Sequence, residues 1–285
     1  MKKIGLSNFI PLIIASPAVI IGVIAMKTAG VSAITFGQNL AYLIIGGLIS
    51  GYIVSRDTKI KKNSNSILVI LITIILLGLT FIDKGIYGIH RWVAIGPIKF
   101  YVTSIILPIT IIELWNLLQR KKWMSTVVIT LLILVILSIQ PDASQLTAFS
   151  ITIIIIFWNK LNRKIVKVIV SGILLILNSL SWIYLDALNP VPYVEQIVSL
   201  VGNMGSIWFV LGIISLIILP LPFILFPAKR YKLLSRGIGI YFILILISTI
   251  FGNFPVPLMG YGVSPMIGYF IAITWFVKSK IYPQY

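Results

Sequence analysis

Ten apolar stretches dominate this chain, near residues 10–26, 34–55, 67–82, 101–118, 124–139, 146–159, 165–185, 206–227, 237–251 and 257–277. A membrane-crossing helix needs about 20 mostly apolar residues, with roughly 17 as a lower limit. The shorter stretches reach across by placing polar flanks among headgroups or by thinning the bilayer locally. Ten crossings put alternate connections on opposite sides. On that count the two termini and the connections near 56–62, 120–122, 160–167 and 229–236 share one side and hold 19 of the 23 Lys and Arg. The other side holds only Lys27, Lys84, Arg91 and Lys99. Lys and Arg concentrate in short cytoplasmic loops, so both termini are expected in the cytoplasm. One crossing more or fewer would scramble this segregation.

Composition narrows the class further. With 59 % hydrophobic residues in 285, no segment remains for a folded soluble domain, and a single ten-helix integral membrane domain over 1–285 is expected. The Ile- and Leu-rich runs are continuous rather than alternating, which selects an all-α bundle over a barrel. The net charge of +17 lies in clusters at helix ends. Anionic lipids of the cytoplasmic leaflet match that placement, and nucleic acid does not. A chain without Cys has no disulfide or thiol chemistry, and the lone His90 rules out a multi-histidine metal site. Lys2 and Lys3, an apolar run and Val31-Ser32-Ala33 resemble a cleavable secretion signal. Cleavage would leave nine helices with termini on opposite sides, so an uncleaved first helix is expected.

Four connections on the sparsely charged side collect the unusual residues: Asp83–Phe100, Gln140–Gln145, Ser181–Gly205 and Gly252–Pro265. The first runs Gly85-Ile86-Tyr87-Gly88-Ile89-His90-Arg91-Trp92-Val93-Ala94-Ile95-Gly96-Pro97-Ile98-Lys99-Phe100. Its Arg91 suits bidentate capture of a phosphate, and its Trp92 suits the headgroup level. An aromatic and basic anchor to lipid heads explains the same residues. The second carries Gln140-Pro141-Asp142, and the last reads Phe254-Pro255-Val256-Pro257-Leu258-Met259-Gly260-Tyr261-Gly262-Val263-Ser264-Pro265.

In this order the three segments resemble the SEDS family (shape, elongation, division and sporulation proteins). Its members have ten helices, a G-x-x-G-x-x-R-W-I-x-x-G-P-x-x-F loop after the third, E-P-D-x-G-T after the fifth, and L-P-L-P-F-x-S-Y-G-G-S-S at the tenth. The resemblance implies a protein of peptidoglycan assembly, division or cell shape in the bacterial plasma membrane. It further implies a polyprenyl-linked precursor, lipid II, engaged on the outer leaflet beside a penicillin-binding transpeptidase, with a divalent cation possible. Substrate-facing roles then fall to Arg91, Trp92, Lys99, Asp142, Tyr261 and Ser264. Gly85, Gly88, Gly96, Pro97, Pro141, Pro255, Pro257 and Gly262 shape the loops.

The chain departs from this pattern where chemistry is expected. The family's Q-P-S-E after the R-W loop is replaced by Tyr101-Val102-Thr103-Ser104, without the Glu. Tyr193 to Leu200 resembles the start of the family's long loop between helices seven and eight. The chain then runs through Gly205-Ser206-Ile207-Trp208 toward helix eight without the segment that carries the proposed catalytic Asp. Gly260 stands where Ser is usual. Asp142, Asp186 and Glu195 are the carboxylates left as candidate bases, although Asp142 also fits a helix cap and the other two fit solvated loop charges. Two readings follow: a glycosyltransferase with a rearranged carboxylate, and a non-catalytic relative that binds precursor or synthase. The missing segments favour the second. A flippase is a weaker third, since intramembrane charges are scarce.

Overall fold

The computed structural model describes residues 5, 8–56, 65–82, 85–86, 88–96, 98–184 and 188–282. Its helices follow the ten apolar stretches. They are α1 (Ile10–Ile13), α2 (Ser16–Thr28), α3 (Ala33–Ser55), α4 (Ser66–Leu79), α5 (Val102–Gln119), α6 (Trp123–Ile139) and α7 (Ala143–Lys160). The remainder are α8 (Lys164–Ile183), α9 (Ile197–Asn203), α10 (Ser206–Ile217), α11 (Leu221–Leu225), α12 (Lys232–Phe251) and α13 (Val263–Ile281). The expected all-α polytopic membrane bundle is the architecture found.

Two stretches are broken by proline. Pro17 has no amide hydrogen to bond the Ile13 carbonyl, so the first stretch divides into α1 and α2. Pro220 and Pro222 divide the eighth into α10 and α11 in the same way. The continuous first and eighth helices expected from hydropathy are corrected accordingly. The loop before α10 also contains the short helix α9, after which the chain enters α10 at Ser206 directly from Gly205, as the sequence suggested. Gly205, at φ 123°, makes the turn between them.

By length and composition, five of the described helical segments can cross a membrane alone: Ile10–Thr28, Ala33–Ser55, Val102–Gln119, Lys164–Ile183 and Lys229–Phe251. Three shorter apolar helices are Ser66–Leu79, Trp123–Ile139 and Ser206–Ile217. Helices α7 and α13 fall outside both groups because their polar residues lower their hydropathy. Buried Ser144, Gln145, Ser150 and Thr152 lie on α7, and buried Ser264, Thr274 and Ser279 lie on α13. Helix α12 packs on α7, while α13 lies against α5 and α3. Helices α3 and α8 surround this centre and present Ile44, Leu48, Ile169 and Ile176 outward, as lipid contact requires. Association inside lipid rests on close packing rather than on escape from water. At Gly268 of α13 an added Cβ would lie 1.9 Å from the Ser104 carbonyl oxygen of α5.

The first connection on the sparsely charged side forms an antiparallel hairpin, β1 (Trp92–Ile95) and β2 (Ile98–Tyr101), with Trp92 opposite Tyr101. Gly96 adopts φ 60°, the left-handed geometry that a two-residue hairpin turn demands. Pro97, the other turn residue, lies outside the described residues.

Candidate functional site

The four connections singled out by sequence meet at one end of the bundle. Segment 188–196 is tied to the last connection by three bonds. Val256 N–H donates to the Val194 carbonyl at 3.2 Å, Tyr261 N–H to the Tyr193 carbonyl at 2.9 Å, and Asn253 Nδ2 to the Leu188 carbonyl at 3.1 Å. This contact explains Gly260: a Cβ there would sit 2.4 Å from the Val194 carbonyl oxygen, leaving no room for a side chain at this position. The opposite end carries the basic clusters. There Lys160 lies over the Trp115 ring at 4.7 Å and Arg163 over Trp123 at 5.3 Å.

A cavity of about 650 Å³ opens between the hairpin and the two strapped connections. Its lining includes Arg91, Trp92, Tyr101, Pro141, Asn189, Glu195, Asn253 and Pro255. Arg91 is buried, donates to the Pro141 carbonyl, and holds its guanidinium 5.8 Å from the Phe254 ring centre. It is therefore a cation fixed by its surroundings at the cavity wall. Glu195 is the one carboxylate lining this cavity among the described residues, and its Oε2 accepts from Val191 N–H at 2.7 Å. No three His, Asp or Glu side chains gather as a metal site among the described residues. Among the described residues, this single carboxylate is a sparse donor set for a divalent ion.

Asp142 lies behind the cavity. Tyr101 Oη donates to its two oxygens at 2.7 and 2.8 Å, Thr103 Oγ1 donates at 2.9 Å, and Gln145 N–H donates at 3.4 Å as the cap of α7. Burial raises its carboxyl above the ordinary carboxylate range, opposed by nearby Arg91 and by these donors. With no exposed surface, Asp142 is built as a cap and cluster centre. This is the cap role, one of the two that the sequence allowed it.

The other candidates separate in the same way. Trp92 lines the cavity and stacks at a tilt on Tyr101, with centroids 6.3 Å apart. Lys99 is exposed on the hairpin and does not line the cavity. Tyr261 Oη donates to Gln38 at 2.6 Å, and Ser264 Oγ accepts from Tyr101 N–H at 2.9 Å, so both staple the loop rather than face the cavity. Gly85, Gly88 and Gly262 hold positive φ; Pro141 and Pro255 line the cavity, and Pro257 lies deeper. Asp186 lies outside the described residues. Sequence reasoning missed Tyr101 as a cluster member, together with Asn189 and Asn253.

Fold and site thus define a multi-pass helical membrane protein whose connections build a cavity at one end of the bundle. No protein-family model and no curated protein sequence matches the chain. Solved structures do share its fold. The rod shape determining protein RodA of Thermus thermophilus superposes with a TM-score of 0.68 at 14 % identity, covering 95 % of each chain. An Asp-to-Ala variant of the same protein gives a TM-score of 0.69 at 14 % identity, with 95 % of this chain and 96 % of that one covered. A chain from a peptidoglycan synthase complex, described for its coordination of polymerization and crosslinking, gives 0.63 at 15 % identity, with 96 % and 98 % covered. The chain therefore has the RodA fold.

Proposed function

We propose that this chain is a SEDS-like protein of bacterial peptidoglycan assembly, serving cell shape or division. On this reading it engages lipid II or a related polyprenyl-diphosphate precursor at the outer leaflet of the plasma membrane. Both termini are cytoplasmic, because the basic clusters occupy the end opposite the cavity. The observation that carries the reading is Arg91: a buried, held guanidinium lining a cavity at the loop-bearing end suits a diphosphate. Trp92 beside it suits a sugar or headgroup contact. Binding without polymerisation is the favoured mode, since Asp142 is buried and its oxygens are taken by Tyr101, Thr103 and Gln145. The partner is a penicillin-binding transpeptidase, and anionic lipids cover the basic end.

A second reading is favoured by Glu195. In glycosyl transfer an acceptor hydroxyl attacks the anomeric carbon, the diphosphate departs, and a base takes the hydroxyl proton. Glu195 lines the cavity and is suited to that last role. Purified protein in vesicles, given labelled lipid II and a divalent cation, separates the two. Saturable binding with no polymer on a gel is expected. Polymer that falls about 10²–10⁴-fold in Glu195→Gln would establish the enzyme instead. Absence of both binding and polymer would overturn the proposal.

A further inference from the structure

Two basic connections meet at the end of the bundle opposite the cavity. One joins α5 to α6, and the other joins α7 to α8. Between them lies a hollow of about 480 Å³ whose lining includes the exposed cations Lys121, Lys160 and Arg163. No carboxylate lines it among the described residues. Glu113 is the acidic residue nearest in sequence, and it is buried within α5, where it accepts from Asn116 Nδ2 at 3.1 Å.

Aromatic rings set the positions of these cations. Lys160 Nζ lies 4.7 Å from the centre of the buried Trp115 ring, and the Arg163 guanidinium lies 5.3 Å from that of Trp123. A ring covers one side of a cation and leaves its outer N–H groups for an anion. Lys121 sits at φ 61°, in the left-handed region that glycine usually occupies just past a helix. This chain keeps a lysine there, and its side chain lines the hollow.

The rest of the lining suits more than a soluble ion. Leu118, Leu161 and Val166 supply apolar surface, and Trp123 stands beside them. Ile169 and Ile173, one and two turns along α8 from Val166, are exposed on the same face. Helices α5 and α8 are each long and apolar enough to cross a membrane, so the connections at their ends lie at its surface. An indole is a common residue at that boundary. Cations over an apolar floor, with an apolar flank running into the membrane, match a phosphate head that carries acyl chains. A soluble phosphate would use the cations alone.

We infer that this hollow is a discrete site for one anionic phospholipid, its phosphate held among Lys121, Lys160 and Arg163 and its chains laid along α8. The inference rests on the reading that anionic lipids cover the basic end and makes it specific; precursor binding at the cavity has no part in it. The phosphate offsets the mutual repulsion of three like charges and so ties the two connections together.

Native mass spectrometry of the detergent-solubilised protein, titrated with phosphatidylglycerol or phosphatidylcholine, tests the inference. The expected result is one tightly retained phosphatidylglycerol, with phosphatidylcholine at background. Lys160→Gln combined with Arg163→Gln should weaken that site about thirtyfold, the effect of two basic residues at an anionic surface. Lys229→Gln combined with Arg230→Gln removes the same charge from another basic connection and should leave the tight site unchanged. All four side chains are exposed, so both double variants should fold. Phosphatidylglycerol should also raise the thermal midpoint of the wild type and not that of the first variant. Inorganic phosphate and glycerol phosphate, which lack the chains, should fail to displace the lipid even in large excess. Displacement by either would assign the hollow to a soluble phosphate and overturn the lipid site. Equal losses in the two double variants would show a diffuse basic surface, overturning the site while anionic lipids still cover this end. A wild type with no preference for phosphatidylglycerol would overturn that broader reading as well.

Discussion

Arg91→Ala is expected to weaken binding of a polyprenyl-diphosphate precursor by about 2–5 kcal/mol, at least ~30-fold, the range for truncating one partner of a desolvated charge pair. Arg91 is buried, held by the Pro141 carbonyl and set near Phe254, so little reorganisation is needed when a diphosphate arrives. Arg91→Lys should lose an intermediate amount, because an ammonium keeps the charge without the two-pronged geometry. Titration of vesicle-reconstituted protein measures the difference. Lys99→Ala is the internal comparison: its side chain is exposed outside the cavity, and its loss should change binding less than about twofold, as for a screened surface charge. Equal losses for the two variants would assign the diphosphate to a diffuse basic surface.

Asp142→Ala is expected to act on the fold. The substitution removes the acceptor of Tyr101 and Thr103, uncaps α7 and takes the counter-charge away from buried Arg91. Breaking a buried charged cluster by removing one partner costs about 3–5 kcal/mol. A lost cap alone accounts for about 1 kcal/mol of that order. The midpoint of thermal unfolding of the detergent-solubilised protein should therefore fall by several degrees. Asp142→Asn keeps the volume and one acceptor, so it should fall less. If Asp142→Ala instead unfolds like wild type and loses only precursor binding, the residue belongs to the site and not to the cluster behind it.

Much of this architecture was legible because lipid leaves few options. Among the described residues helices follow the ten apolar runs, and the segregation of Lys and Arg separated the loop-bearing end from the basic end. Arg91 and Trp92 were found from a local pattern, and they do line the cavity. The breaks at Pro17 and Pro220 were hidden because hydropathy continues across them even where the hydrogen-bond ladder cannot. The Tyr101–Thr103–Asp142 cluster was hidden for another reason. It joins residues 41 and 39 positions apart, and hydroxyls at a helix start look like ordinary capping residues. Tyr261 and Ser264 were read as substrate-facing because their loop faces the right end. The decision between staple and ligand lay in Gln38 and Tyr101, which no local pattern links to them.

Every functional step requires the cavity end to face away from the cytoplasm. The chain has no Cys, so single cysteines report without background. Lys99 is exposed on the hairpin and Arg163 is exposed at the opposite end of the bundle. A membrane-impermeant maleimide applied to intact cells should label Lys99→Cys and spare Arg163→Cys until the membrane is opened. Labelling of Arg163→Cys in intact cells, with Lys99→Cys protected, would place the cavity inside the cell, away from any precursor on the outer leaflet.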